Sequence, residues 1–209
     1  MRKLIREPLI RSCAEGRLEA GCDEAGRGCL AGPVFAAAVI LPTRPSAQLA
    51  EMLDDSKQLS VQKRNKLRLV IENEALAFGV AMVDAAMVDK INVLKASIMA
   101  MHLALEKLPF VPQFIVVDGN RFKPYNDIPH ACIVKADATF MHVAAASILA
   151  KTWRDAYMQQ LHEEFPHYGW DKNKGYPTPA HLKALNDLGP SPYHRLTFGP
   201  VHQLRFPFP

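Results

Sequence analysis

The chain has 209 residues, a formal net charge of +4, 49% hydrophobic and 22% charged residues. These values describe an ordinary globular protein with room for one sizeable domain, and they exclude a disordered, collagenous or disulfide-scaffold chain. The basic N-terminal stretch MRKLIREPLIRS has no apolar core of a secretory signal, and the longest apolar run, residues 33–42, is too short to span a bilayer, so a soluble cytoplasmic protein is expected. The four cysteines, Cys13, Cys22, Cys29 and Cys132, form neither a C-x-x-C pair nor a zinc-finger pattern. They are expected as reduced thiols, with Cys22 and Cys29 as candidates for oxidation. The positive balance is compatible with nucleic acid, but many metabolic enzymes share it.

In chain order, residues 18–24 read as a short strand entering a glycine-rich turn, and residues 32–41 (GPVFAAAVIL) as a buried strand bounded by prolines. The turn at Gly26-Arg27-Gly28 would let the two pair as a hairpin. Ser60 is the expected N-cap of a Lys/Arg-rich helix reaching about Ala75. Residues 76–83 read as a strand. Met87, Ile91, Leu94, Ile98, Met101, Leu105 and Leu108 then recur at alternating spacings of four and three, which predicts one long amphipathic helix with a core-facing stripe. Residues 114–117 and 131–134 are further short strands, and a helix is expected from about Thr139 to Glu164. Beyond Pro166 the chain becomes rich in Pro and Gly, with one short helix over residues 179–188. The pattern predicts an α/β fold, a mixed central sheet flanked by helices, with residues 1–164 as the core and 165–209 as a small helical extension.

Acids stand where sites assemble in such folds. Asp23 and Glu24 end one predicted strand, Asp118 ends another, and Asp137 precedes the long helix. Converging carboxylates need positive charge to stay ionised. Mg²⁺ and Mn²⁺ prefer oxygen ligands, and a pair of such ions suits phosphoryl transfer. Each acid also has a plainer reading: Asp137 as a helix cap, Asp118 as a turn former, Asp23 and Glu24 as turn charges. Neighbours along a strand point to opposite faces, so Asp23 is the better side-chain ligand, and Glu24 can join it only where the strand ends or bends.

Six stretches taken together resemble the ribonuclease HII family, the bacterial type 2 ribonucleases H. They are GCDEAGRGCLAGPV (residues 21–34), DDSKQLS (54–60), VVDGN (116–120), KADATFMHVAAASILAKTWRD (135–155), NKGYPT (173–178) and HRLTFGPV (194–201). The resemblance implies a ribonuclease-H-like core with a helical C-terminal substrate-binding extension. It implies Asp23, Glu24, Asp118 and Asp137 as the catalytic acids, holding two Mg²⁺ or Mn²⁺ ions. The implied activity is hydrolysis of the RNA strand of RNA–DNA hybrids and incision at ribonucleotides embedded in duplex DNA, leaving 3′-hydroxyl and 5′-phosphate ends.

The same resemblance implies that the Gly26-Arg27-Gly28 turn and Tyr176 read the ribose 2′-hydroxyl, which alone distinguishes RNA from DNA at one nucleotide. Tyr176 would also stack on the neighbouring sugar. Lys57 would contact a phosphate, and Lys172, Lys174, His194 and Arg195 are further candidates for the nucleic-acid groove. The chain departs from the usual family pattern at Cys22 and Cys29, where Val and Pro are more familiar, at Lys135-Ala136-Asp137, where KGD is usual, and at Pro177, where Gly is usual.

Two other functions are set against this one by particular residues. The sister ribonuclease HIII carries an extra N-terminal domain and lacks an arginine between the turn glycines. Here only about twenty residues precede Asp23, and Arg27 is present. A catalytically silent binding module would lack an acid, and all four are present. A monomer without membrane association is expected. The tail Gln203-Leu204-Arg205-Phe206 has a faint likeness to sliding-clamp peptides, against which stands the reading of an apolar tail packed on the body.

Overall fold

The computed structural model describes residues 8–13, 16–54 and 59–205. Five strands form one mixed sheet in the order β3-β2-β1-β4-β5. They are β1 (Glu19–Ala25), β2 (Val34–Ile40), β3 (Ala77–Val83), β4 (Phe114–Asp118) and β5 (His130–Ile133). The first three are antiparallel neighbours, whereas β4 and β5 add in parallel on the other side of β1. All seven residues of β2 are buried, five of them Val or Ala. Burial on both faces replaces the polar–apolar alternation with a continuous apolar run. The expected hairpin of β1 and β2 is present, joined by residues 26–33.

The helices are α1 (Ala47–Asp54), α2 (Val61–Glu74), α3 (Ala85–Ile91), α4 (Val93–Glu106), α5 (Met141–Glu164), α6 (Trp170–Asn173), α7 (Pro179–Leu188) and α8 (Gly199–Arg205). One core cluster joins Ala20, Cys22, Ile115 and Val117 of the sheet to Ala96, Ala100, Met101 and Ala104 of α4. The other joins Ala37 and Val39 to α1, α2 and α5 through Leu49, Leu67, Ile71, Ala145 and Leu149. The sheet is therefore covered on both faces.

Ser60 does cap α2, its side chain accepting from Lys63 N–H at 3.4 Å. The stripe from Met87 to Leu108 corrects the single-helix expectation, because the chain breaks at Asn92. Asn92 has φ +69°, ends α3, and caps α4 by accepting from Lys95 N–H at 3.1 Å. Asparagine tolerates this left-handed φ better than most residues, and its side chain supplies the new cap. Helix α1 had no counterpart in the sequence reading.

Beyond α5 the chain is more helical than expected. Short α6 and α8 flank α7, whose bounds match the expected ones. This extension packs onto the second half of α5, with Met158 and Leu161 meeting Tyr168, Trp170 and Ala31.

Candidate active site

The acids meet at the C-terminal end of the two central parallel strands. Parallel pairing of Cys22 with Val117, continued by one residue, sets Asp23 beside Asp118. Glu24, one residue on, has the alternate strand direction. Asp23 is buried and hydrogen-bonded to Ser147 of α5. Glu24 lines two adjoining cavities, one with Asp137 and Ser147, the other with Asp118, Ser97 and Met101 of α4. Strand β1 continues through Glu24 to Ala25 in register with β2, so Asp23 and Glu24 keep opposite directions, and it is Glu24 that borders both cavities.

Asp118 Oδ1 accepts from Ala136 N–H at 2.7 Å, tying the end of β4 to the 3₁₀ turn Ala136–Ala138 that carries Asp137. Asp137 is not the cap of α5: that position is Phe140, without a side-chain cap. The left-handed residue of this turn is Lys135, at φ +62°, and Ala136 is not among the positive-φ residues. Alanine where the family usually has glycine therefore imposes no strain.

Burial raises the pKa of Asp23 well above the ordinary carboxylate value, and the negative charges of Glu24 and Asp118 add to this against the hydrogen bond from Ser147. Glu24 is also raised, first by burial and then by Asp118, while Arg27 opposes the shift. Arg27 offsets only part of the shift at Glu24, and burial outweighs the Ser147 hydrogen bond at Asp23. The all-oxygen donor set of these carboxyls suits a hard divalent cation, and on that chemistry the residues fit the ion that the motifs imply. Among the described residues, no group of three or more His, Cys, Asp or Glu side chains stands ready-made as an ion cage. Arg27 is the local counter-charge, with Nη1 at 2.9 Å from Glu24 Oε1.

The groove beside the acids has a volume of about 400 Å³ and is lined by Gly26, Arg27, Gly28 and Tyr176, with Arg64 of α2 and Lys151 of α5. Lys57 lies outside the described residues. Arg64, Ser147 and Lys151 were missed in the sequence. Their signal was present, since Ser147 and Lys151 are one helical turn apart on the face of α5 that meets Asp23, but spacing alone did not tell that face from the core.

Gly26 has φ +94°, and a Cβ there would lie 2.1 Å from Arg154 Nε. Only glycine meets both conditions. Gly28 faces open space within 4 Å and has an ordinary φ. Two buried guanidiniums hold this turn and the tyrosine loop. Arg154 donates to the carbonyls of Ala31, Pro33 and Lys174 at 3.0, 3.0 and 2.8 Å. Arg195 donates to the carbonyls of Arg27 at 2.9 Å and Gly32 at 2.9 and 3.1 Å.

Arg195 and His194, expected to line the groove, are instead buried and act from beneath it. Carbonyl oxygens satisfy a buried Arg that would otherwise face an unpaired desolvation penalty. Cys22 and Cys29 are buried, and burial pushes both thiols up, which corrects the expectation of oxidation-sensitive sites. Cys29 instead hydrogen-bonds the Tyr176 hydroxyl.

Comparisons with known proteins bear on the family and the fold. The family model described as Ribonuclease HII matches residues 20–201. A ribonuclease HII from Porphyromonas gingivalis is 58% identical over 190 residues, covering 91% of this chain and 93% of the relative. The crystal structure of ribonuclease H2 from Pyrococcus horikoshii superposes with a TM-score of 0.75 at 27% identity, covering 89% of this chain and 96% of that one. The RNase HII of a PCNA:RNase HII complex from Archaeoglobus fulgidus gives a TM-score of 0.73 at 26% identity, covering 90% and 97%. Matched over most of its length, the chain belongs to the ribonuclease HII family and is a hydrolase with ribonuclease H activity on RNA–DNA hybrids.

Proposed function

We propose that the protein incises duplex DNA at embedded ribonucleotides as well as cutting RNA–DNA hybrids, leaving 3′-hydroxyl and 5′-phosphate ends, with two divalent cations held by Asp23, Glu24, Asp118 and Asp137. The observation that carries this reading is Glu24, which borders both the cavity of Asp137 and that of Asp118 and stands next to the buried Asp23. Mg²⁺ or Mn²⁺, when bound, supplies Lewis acidity to both sides of a phosphodiester displacement. The chain's own residues do the rest. Glu24, partnered by Arg27, would be one of the residues that hold the cation. Ser147 orients Asp23 and favours its ionised form against burial. Lys151, Arg64 and Lys57 meet backbone phosphates, whose contacts position the duplex without reading sequence.

The backbone of Gly26, Arg27 and Gly28 approaches the ribose, and Tyr176, 42% exposed, offers its ring to the neighbouring sugar. Residues 165–209 act as the substrate-binding extension, since they supply Tyr176 and, through Arg195, support the turn. The protein acts as a cytoplasmic monomer; among the described residues no helix is long and apolar enough to cross a membrane. Of the C-terminal helix, Val201 is buried beside Leu30 and Leu185, whereas Gln203 and Leu204 of the tail are exposed; Phe206 lies outside the described residues, and a binding test decides whether the tail meets a sliding clamp.

The test is digestion of a labelled duplex with a single ribonucleotide beside a hybrid with a long RNA tract, in Mg²⁺ and in Mn²⁺. Cutting of both, ending on 3′-hydroxyl and 5′-phosphate and abolished by chelation, is expected. Cutting of the long tract alone would overturn the embedded-ribonucleotide reading.

A further inference from the structure

Beneath the tyrosine loop lies a buried polar chain that the reaction does not use directly. Ser191, His194, Trp170 and His181 are all buried. His194 Nδ1 faces Ser191 N–H at 3.0 Å. A backbone N–H can only donate, so Nδ1 accepts and the His194 proton sits on Nε2. That nitrogen stands 3.1 Å from His181 Nε2, which must therefore accept. Trp170 Nε1–H, a donor only, approaches the same His181 Nε2 at 3.2 Å and requires the same assignment. The His181 proton is left on Nδ1, 2.9 Å from the carbonyl oxygen of Tyr176. Each link forces the next, and the last one ends on the backbone of the residue proposed to read the ribose.

We propose that His181 is a positioning residue for ribonucleotide recognition, fixed as its Nδ1–H tautomer by His194 and Trp170 so that it always donates to the Tyr176 carbonyl. The inference rests on the reading of Tyr176 as a substrate contact. Within the loop, Tyr176 N–H donates to Asn173 O at 2.9 Å and Gly175 N–H to Asn173 Oδ1 at 2.8 Å. Lys174 O is held by Arg154 at 2.8 Å, and Gly175 O by Leu30 N–H at 2.8 Å. Tyr176 O is shared between His181 and Thr178 N–H at 2.8 Å, itself on the loop. His181 is thus a side-chain anchor on the Tyr176 carbonyl, while Asn173 O takes the N–H of Tyr176 and Cys29 meets its hydroxyl. Burial lowers the pKa of both imidazoles, His194 to about 4, with His181 adding to the effect on its neighbour, so both rings stay neutral at neutral pH. A protonated ring would break the chain, since it has no acceptor nitrogen left.

The experiment is steady-state cleavage of the single-ribonucleotide duplex by wild type, His181→Ala, His181→Asn, Tyr176→Ala and the His181→Ala/Tyr176→Ala double variant. Asn places an amide donor where Nδ1–H stood. His181→Ala is expected to lower kcat about tenfold or more with little change in KM, as misplacement of a contacting group does. His181→Asn is expected to recover most of the loss. In the Tyr176→Ala background the further loss from His181→Ala should shrink to under about threefold, because the two act through one contact.

Multiplying losses in the double variant, wild-type turnover of His181→Ala, or no recovery by Asn would overturn the proposal while leaving the Tyr176 reading standing. Wild-type turnover of Tyr176→Ala would overturn that reading, and with it the role of His181 in cleavage. Should His181→Ala fail to fold, ¹⁵N-resolved imidazole spectra of the wild-type protein decide. Protonation at His181 Nδ1 and His194 Nε2 is expected, and a His181 proton on Nε2 would contradict the chain.

Discussion

Arg27 Nη1 lies 2.9 Å from Glu24 Oε1, so the residue between the two turn glycines is also the counter-charge of a proposed metal ligand. Recognition turn and acid cluster are coupled through this pair. Arg27 holds down a carboxyl that burial and Asp118 push up. Removing Arg27 lets the Glu24 pKa rise further, so protons compete with the cation to a higher pH. In limiting Mg²⁺, Arg27→Ala should move the acid limb of the kcat/KM profile to higher pH, and Arg27→Lys should move it less. An unmoved limb in Arg27→Ala would break the proposed coupling.

The two turn glycines should answer differently. Gly26→Ala places a Cβ against Arg154 at a left-handed φ, and a loss of roughly 1–3 kcal/mol is expected, about 3–10 °C in Tm for a chain of this size. Gly28→Ala meets nothing within 4 Å and should stay within about 0.5 kcal/mol of wild type. It should nonetheless cut the ribonucleotide duplex more slowly, since the added methyl stands where the sugar approaches. Thermal melts and cleavage assays of both variants check this; equal Tm losses would contradict the assignment of strain to Gly26.

Acid should destabilise the fold through two buried imidazoles. His142 and His194 are held at about 4 against an ordinary 6.5, mainly by burial, although Glu19 Oε2 stands 3.7 Å from His142 Nε2 and pulls the other way. The unfolded chain takes up these protons near pH 6.5 and the folded chain only near 4. Their contribution is fully present above pH 6.5 and is lost as pH falls through the folded value, at roughly 3 kcal/mol each. Urea midpoints across this window should fall steadily for wild type and less steeply for His142→Gln. Parallel slopes for the two proteins would show that His142 is not a source of the effect.

Cation binding should also be visible without catalysis. Burial raises Asp23, with Glu24 and Asp118 adding to it, and burial and Asp118 raise Glu24 against Arg27, so the ionised carboxyls are disfavoured in the metal-free protein and Asp23 gains a proton as pH falls. Mg²⁺ at about a hundred times its Kd should stabilise by roughly 3 kcal/mol, about 5–10 °C in Tm, at pH 7.5. The shift should be much smaller at pH 5, where protons occupy the carboxyls. Asp23→Asn should raise the metal-free Tm and abolish most of the shift. A cation shift of equal size in Asp23→Asn would remove Asp23 from the site.

Elements with a strong local pattern were legible in the sequence. Helix α7 follows from Thr178 and Pro179 at its start, and β2 from an unbroken apolar run. The break at Asn92 was not, because the stripe keeps its spacing across it and only the φ of one residue changes. The acids stood out by their position at element ends, and the alternation that sets Glu24 apart from Asp23 persists in β1, which stays paired with β2 through Ala25. His194 and Arg195 misled: charge in sequence suggests a surface, yet carbonyls of residues 27 and 32, far away along the chain, solvate Arg195 in the interior. Such pairing is non-local, and no window of sequence carries it. The same holds for the His181–His194 contact, whose partners are set by the packing of the extension on α5.

The central claim is that carboxylates from β1, β4 and the turn before α5 form one cation site that cleaves the RNA strand. It is tested most directly at Asp118, the acid that links β4 to the turn of Asp137. Turnover and equilibrium binding of a duplex with one embedded ribonucleotide are measured for wild type and Asp118→Asn in Mg²⁺. Loss of roughly a hundredfold or more in kcat, with duplex binding within about threefold, is the expected result, since phosphate contacts and not the acids carry affinity. Turnover by Asp118→Asn close to that of wild type would contradict the account.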